Sequence, residues 1–498
     1  MTTLPDASTI KRKGCEEEYT RLLDLARRLE GRMSGNDAGM TAWYRESREL
    51  AESSLLESLE GELRLEELSL ELRTLWLRHA SRISGRYLKS PPHFQTVQLP
   101  SGNQNPFPYE RWNQPVSLER RAFEYRPTPE GWVSEHLLFS SGMGAISCLL
   151  QVIRQVFEPR TGNPLLLHGI GGYFEITDLM NFIRDELFQP RIMGDQEEFT
   201  QSVADGASQL IYIEPVFTSR GRLNVFEMER FLSAWQHRPA SVPTAIVFDT
   251  TFTGNRFPMA EFIKRLAPHH PRLVIQVSST LKLDQEGLEF SNAGLMSILS
   301  TTPPIVSGIT KRMRKYRAAM GFSLSLDQTA ALDYPGFLDA DFTEQHASAV
   351  FENNATLARN LETGADRLFV NHFHPSLAQG HKPAHWAVAP FVNLQLRDDI
   401  DPEGRELLKH VIFHEARKRK LTFTPGSSFG FRGHRVETSI QDEPDGLQVI
   451  RVAMGSRKGP SLAGTVDLLN DIGRTGSVDM LKARYPELLQ TVKKFMNS

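Results

Sequence analysis

Apolar residues along this chain change their spacing twice. From Glu16 to about Arg86 they recur at helical intervals, with Leu22, Leu25, Ala26 and Leu29 on one face and a second Leu-rich run from Leu55 to Leu77. This is the three-to-four-residue period of amphipathic helices. In the second run leucine falls on more than one face, so this helix is expected to pack on the main body or on another subunit. Between Ser90 and Pro108 the run SPPHFQTVQLPSGNQNPFP breaks all periodicity and predicts a linker or extended arm, with a boundary. Beyond it, short apolar runs alternate with helical ones: Leu165 to His168 then a helix from Glu175, Gln209 to Ile213 then a helix from Val225, Thr244 to Phe248 then a helix from Met259, and Leu273 to Val277. That rhythm predicts a mostly parallel sheet covered by helices, an α/β fold. After about Leu326 the pattern is less regular, with helical stretches near Gln345 to Leu361 and Gly404 to Lys420 and a strand at Val449 to Ala453, which suggests a smaller α+β unit. The expected division is a helical extension over 1–90, a large α/β domain over 91–330 and a small C-terminal domain over 331–498.

Composition narrows the classes of function. The 498 residues are 40% hydrophobic and 23% charged, enough for two or three domains with their own cores. A net charge of -3, with acids and bases interleaved, implies no face that would neutralise a phosphate backbone, so nucleic acid is not an expected partner. Cys15 and Cys148 form no CxxC or Cys/His pattern, which argues against a disulfide framework or structural zinc and fits a reducing compartment. The opening MTTLPDASTIKRKGCEEE lacks the apolar core of a signal peptide, and no run approaches the roughly 18 apolar residues of a membrane span. A cytoplasmic protein without a membrane partner is the expectation.

Strands of an open α/β sheet deliver functional groups at their carboxyl ends. Here TAIVF is followed by Asp249, LVIQV by Ser278, Ser279, Thr280, Leu281 and Lys282, and QLIYI by Glu214 and Pro215. A lysine about one turn beyond a buried strand, after three hydroxyl residues, is an unusual place for a solvated charge. A cofactor held as a Schiff base needs such an amine, an acid that keeps a pyridine nitrogen protonated, donors for a phosphate and an aromatic ring for stacking. Asp249 offers the acid, although it would also serve as a turn or N-cap residue. Ser140 to Gly144, between the strand-like LLF and the helical AISCLLQVIRQV, offers backbone N–H groups to a phosphate or forms a plain tight turn. Tyr173 or Phe174, after Gly171 and Gly172, offers the ring. Arg451, alone in the apolar run IRVAM, calls for an anion. Two HxxxH spacings carry less: Pro383 lies between His381 and His385, and His410 and His414 lack the glutamate of HExxH, so no metal is expected.

In this order the residues resemble the fold-type I enzymes that depend on pyridoxal 5′-phosphate (PLP), most of all the Cys/Met-metabolism group, over most of 109–455. Tyr109-Glu-Arg111-Trp-Asn113-Gln-Pro115 is similar to the group's Y-x-R-x-x-N-P segment, with its asparagine one place early. Ser141-Gly142-Met143 matches its S-G-M turn, Tyr173 its stacking tyrosine, Asp249-Thr-Thr251-Phe252 its D-N-T-F, and Ser279-Thr280-Leu281-Lys282, loosely, its S-x-T-K. Ile450-Arg451-Val452 is similar to its I-R-[VL]. The resemblance implies PLP as cofactor, Lys282 as the catalytic Schiff-base lysine, and Ser141, Gly142, Met143, Tyr173, Asp249, Thr251 and Ser279 as cofactor-binding residues. Tyr109 and Arg111 would reach the phosphate of a neighbouring subunit, so a homodimer or homotetramer with shared sites is implied. Arg451 would grip the substrate carboxylate in a bidentate pair.

The departures are equally specific. Leu-Asp-Gln-Glu-Gly follows Lys282 in place of the group's Y-x-x-G-H, and Glu214-Pro215 stands where the group has E-T-P-x-N-P. TPGSSFG, from Thr424 to Gly430, is similar to aminotransferases of the same fold. The resemblance favours β- or γ-elimination or replacement on an L-amino acid through an α-carbanion, in specialised metabolism. An aminotransferase, or a non-catalytic binding protein with this fold, is the alternative.

Overall fold

The computed structural model describes residues 14–33, 37–157, 163–239, 242, 244–378, 384–440 and 446–496. Three helices come first: α1 (Gly14–Glu30), α2 (Ala38–Glu52) and α3 (Leu59–Ser84). The central sheet holds β1 (Val133–Phe139), β2 (Leu165–Ile170), β3 (Phe188–Met193), β4 (Leu210–Ile213), β5 (Ala245–Asp249), β6 (Leu273–Ser279) and β7 (Gly294–Ser300). Their spatial order is β1-β7-β6-β5-β4-β2-β3. All run parallel except β7, which pairs antiparallel with both β6 and β1. Both faces of the sheet are covered, which explains the unbroken apolar runs LIYI of β4 and AIVF of β5. In β5, Ala245 and Val247 enter one core while Ile246 and Phe248 enter the other.

The C-terminal part builds a second sheet from β8 (Phe369–Phe373), β9 (Val392–Leu396), β10 (Phe423–Pro425), β11 (His434–Ile440) and β12 (Gln448–Ala453), in the order β8-β9-β12-β11-β10. Helices Ala340–Asn360, Pro402–Lys418 and Pro460–Gly473 pack on it around Leu394, Leu408, Val452 and Leu469.

Two expectations need correction. The stretch from Ser90 to Pro108 is not a loose arm: Gln95–Gln98 and Gln104–Phe107 form an antiparallel hairpin. Val97, Leu99 and Phe107 bury against Leu326, and the Asp333 carboxylate accepts from the Ser101 backbone N–H at 2.6 Å, which fixes the turn. The helix expected from Val225 starts instead at Met228, because Val216–Ser219 and Arg222–Val225 first form a second hairpin. Its turn places Arg220 and Gly221 at positive φ, 50° and 81°, the conformation tight two-residue turns demand.

The N-terminal helices pack on the main body. Leu22, Leu25, Trp43, Leu65, Leu72 and Trp76 share a core with Leu288, Phe290, Leu332 and Tyr334. The Trp76 indole donates to the Ala331 carbonyl at 2.7 Å, and Arg73 donates to that of Leu288 at 2.7 Å. No helix among the described residues is long and apolar enough to cross a membrane.

Candidate active site

Because β2, β4, β5 and β6 are parallel, the segments that leave them emerge at one edge of the sheet. Asp249 is the last residue of β5, Ser279 of β6, and Glu214 and Gly171 directly follow β4 and β2. At the same edge the chain turns from β1 into the helix Gly142–Val156. Its N-cap Ser141 accepts from the Gly144 N–H at 2.9 Å, leaving other first-turn N–H groups free to meet an anion. Gly142 lies directly against Ser279: a Cβ here would stand 3.0 Å from that of Ser279. The Ser279 N–H in turn donates to the Thr251 hydroxyl at 3.0 Å. Ser141, Gly142, Thr251 and Ser279 are thus one cluster of hydroxyls and N–H groups. The Met143 side chain packs against the core beneath the helix.

Beside this cluster Asp249 is buried, its carboxylate accepting from the Thr251 N–H at 2.9 Å and from the Tyr212 hydroxyl at 3.2 Å. Burial pushes its pKa above the ordinary value, against the opposing pull of the Thr251 and Tyr212 donors. The same Tyr212 hydroxyl lies 3.2 Å from Glu214, whose carboxyl is pushed up to about 8 by burial and then by the nearby Asp249. Glu214 also accepts from the Tyr173 N–H at 2.8 Å. Tyr173 caps the helix Phe174–Ile183 and is half-exposed, with Phe174 more open beside it at 4.7 Å between ring centres. Burial, then Glu175, pushes its phenol up to about 12.

Lys282 lies in the loop beyond β6, and its ammonium donates to the Ser428 hydroxyl. It stands 5.7 Å from the centre of the Phe429 ring and 5.9 Å from that of Phe431. Burial lowers its pKa, with Glu289 opposing. Gly430 seats the segment on the lysine: it holds φ at 80°, and a Cβ there would fall 2.3 Å from the Lys282 carbonyl oxygen. Phe429, Phe252 and Phe391 then form a triangle of rings with centres 5.1, 5.2 and 5.5 Å apart. Phe252 belongs to the Asp249 turn, and the Arg451 guanidinium sits 4.4 Å over Phe391. The Arg451 Nε is buried and has no hydrogen-bond partner, and Arg451 makes no ion pair among the described residues. Burial works against its charge, while Glu437 and then Tyr173 favour it.

No hydrogen bond or ion pair among the described residues joins the side chains of Tyr109 and Arg111 to this group, although the Arg111 carbonyl accepts from the Ser323 hydroxyl at 2.6 Å. Tyr109 precedes and Arg111 lies within a single helical turn, Glu110–Trp112, with Arg111 exposed and its guanidinium 5.4 Å over the Tyr109 ring. Asn113, the displaced asparagine of that segment, is buried and structural, donating to the Leu324 carbonyl at 2.9 Å and the Thr329 hydroxyl at 2.8 Å. Of the histidines singled out by spacing, His381 lies outside the described residues, and His410 contacts Glu406 at 3.3 Å on the helix Pro402–Lys418. Tyr212, Phe391 and Ser428 entered the site without having been singled out. Tyr212 reads as one more apolar residue of a buried strand, Phe391 opens another, and only the TPGSSFG segment hinted at Ser428.

No protein-family model matches this sequence, and no curated protein matches it. Solved structures do resemble it. MetB from Corynebacterium glutamicum aligns at TM-score 0.52 and 15% identity over 73% of this chain and 87% of its own. CalE6, a methionine gamma lyase from Micromonospora echinospora, aligns at TM-score 0.52 and 16% identity over 77% and 90%. Cystathionine gamma-lyase from yeast aligns at TM-score 0.52 and 16% identity over 82% and 98%. The architecture of this chain is that of the fold-type I PLP-dependent enzymes.

Proposed function

We propose that this protein is an enzyme that holds PLP as a Schiff base on Lys282 and acts on an L-amino acid. The observation that carries the reading is the ring triangle of Phe252, Phe391 and Phe429, which joins the Lys282 amine, the Asp249 turn and the Arg451 guanidinium in one cluster. The residues fit the cofactor in chemistry as well as in place. Ser141, Gly142, Thr251 and Ser279 suit its phosphate, Asp249 its ring nitrogen and Tyr173 its ring face. When bound, PLP supplies an aldehyde that joins amines and a pyridinium ring that draws electrons from the α-carbon.

The protein's own contribution follows from position. Arg451 pairs with the substrate carboxylate and thereby orients the α-carbon. Lys282, with its pKa lowered by burial, takes the α-proton once its amine is displaced, and the Ser428 hydroxyl holds the resulting ammonium. The three phenylalanine rings exclude water from that transfer. Loss of a β or γ substituent, or its replacement, is the outcome favoured by the resemblance to the Cys/Met-metabolism group. Tyr109, half-buried, and Arg111, exposed, complete the phosphate site of a second copy in this reading. Transamination is the second reading, favoured by the TPGSSFG segment seated on Lys282.

Exchange of the α-proton of a panel of L-amino acids in deuterated water tests the proposal. The PLP-loaded protein should catalyse it for at least one substrate and Lys282→Ala should not. Exchange by neither would overturn the enzymatic reading. A stoichiometric burst of keto acid from the amino acid alone would select transamination.

A further inference from the structure

We infer that Tyr212, Glu214 and Asp249 form a buried acid network that shares one carboxyl proton at neutral pH, with Glu214 the positioning residue that keeps Asp249 its sole anion. The inference deepens the proposed function and rests on it only for what Asp249 faces. Its physical basis is a count of protons. The Tyr212 hydroxyl lies 3.2 Å from the carboxylates of both Glu214 and Asp249. A phenol has one proton to donate, so if both acids were ionised, one of them would face an oxygen lone pair.

Among the described residues no cation is hydrogen-bonded to either carboxylate. Neither carboxylate makes an ion pair among the described residues. Arg126, which acts on Asp249 from beyond the helix Val116–Tyr125, spends its hydrogen bonds on Ser278 at 2.7 Å, Ser297 at 3.4 Å, the Gln276 carbonyl at 3.5 Å and Asn255 at 3.4 Å. The other groups facing the pair are donors: the Thr251 N–H and hydroxyl on Asp249, and the N–H groups of Tyr173 and Gly172 on Glu214. One added proton satisfies every member, with Glu214 donating to the Tyr212 oxygen and Tyr212 donating to Asp249.

The proton belongs on Glu214. Asp249 lies in the field of Arg126, which favours its charge, whereas Glu214 is raised by burial and by Asp249 itself to about 8. Glu214 also grips the backbone of Tyr173, so the acid that sets the charge under the proposed ring nitrogen fixes the residue proposed to cover the ring.

The test uses the full-length protein without added PLP, labelled with carbon-13 at the glutamate side-chain carboxyls and followed by NMR from pH 5 to 9. One glutamate should titrate near pH 8. Tyr212→Phe removes the bridging hydroxyl with little change in shape and should move that midpoint by about one unit or more. Glu286, a buried glutamate elsewhere whose pKa is raised to about 7, should not move and serves as the internal control. A wild type in which no glutamate that responds to Tyr212→Phe is still protonated at pH 7 overturns the inference. Because no cofactor enters the measurement, a protein that never binds PLP could still pass it.

Discussion

A buried guanidinium nitrogen without an acceptor is costly, about 1–3 kcal/mol for an unmet polar group and more for a charged one. Arg451 carries that cost at Nε while its face lies on Phe391. In the proposed function the substrate carboxylate completes this site. Arg451→Ala should therefore raise KM for the amino-acid substrate about 30- to 1000-fold, the equivalent of about 2–4 kcal/mol, and leave PLP affinity within about threefold. Arg451→Lys should recover little, because an ammonium lacks the planar fork that matches a carboxylate. Steady-state kinetics and a PLP titration check both. At this scale the sequence marked the residues that break a pattern: Asp249, Ser279 and Lys282 interrupt apolar strands at their ends, and Arg451 interrupts one within. It could not mark partners supplied from far along the chain, such as Ser428, 146 positions beyond Lys282. Tyr212 was hidden by its own strand, where a tyrosine reads as core until the acids on either side of its hydroxyl are seen.

Elements place these residues through backbone contact. Gly430 touches the Lys282 carbonyl so closely that no side chain fits, and its φ of 80° is one that other residues adopt only with strain. Gly430→Ala should destabilise the protein by about 1–3 kcal/mol, read as a lower urea midpoint, and should also slow PLP capture because the lysine loop must shift. A variant as stable as wild type, with unchanged capture, would show that the segment does not hold the lysine. The parallel strands β2, β4, β5 and β6 were legible because each opens as an apolar run beside helical spacing, and β5 and β12 lie within one residue of their expected bounds, whereas Gln189, Pro190 and Arg191 hid β3. The two hairpins were not. Their strands are four residues long, rich in Asn, Gln and Pro or opened by a polar turn, and they owe their form to distant contacts with Leu326, Asp333 and Asn393.

At the scale of the molecule, the N-terminal helices join the loop beyond Lys282 to the C-terminal sheet. Glu18 on α1 is fully buried, paired with Arg457 at 3.0 and 3.1 Å and with Arg432 at 3.6 Å, while α3 holds Leu288 and Glu289 through Arg73. Burial alone would raise the Glu18 pKa, but Arg457 and then Arg432 outweigh it and hold the group below its ordinary 4.5. The stabilisation from Glu18 is therefore fully present above pH 4.5 and is lost as pH falls through the lower folded value. Glu18→Ala should cost about 3–5 kcal/mol at neutral pH, because it breaks a fully buried pair and leaves Arg457 only Glu66 at 2.7 Å and Arg432 only the Glu286 carbonyl at 2.9 Å, and should remove part of the acid sensitivity of unfolding. Urea melts of the two proteins at pH 7 and pH 4 measure both effects. Leucine on more than one face of α3 foretold packing against the body or another subunit, and the body is what it meets. The charge cluster was beyond its reach, because a glutamate on a helix reads as a solvent-facing residue.

The central claim is that Lys282 is the residue to which PLP is joined. The direct measurement is to load the purified protein with PLP, reduce it with borohydride, digest it and locate the pyridoxyl group by mass spectrometry. The account predicts one modified peptide, the one containing Lys282, and no stoichiometric modification in Lys282→Ala. A stoichiometric adduct on another lysine, or none on a folded protein given excess PLP, would contradict it.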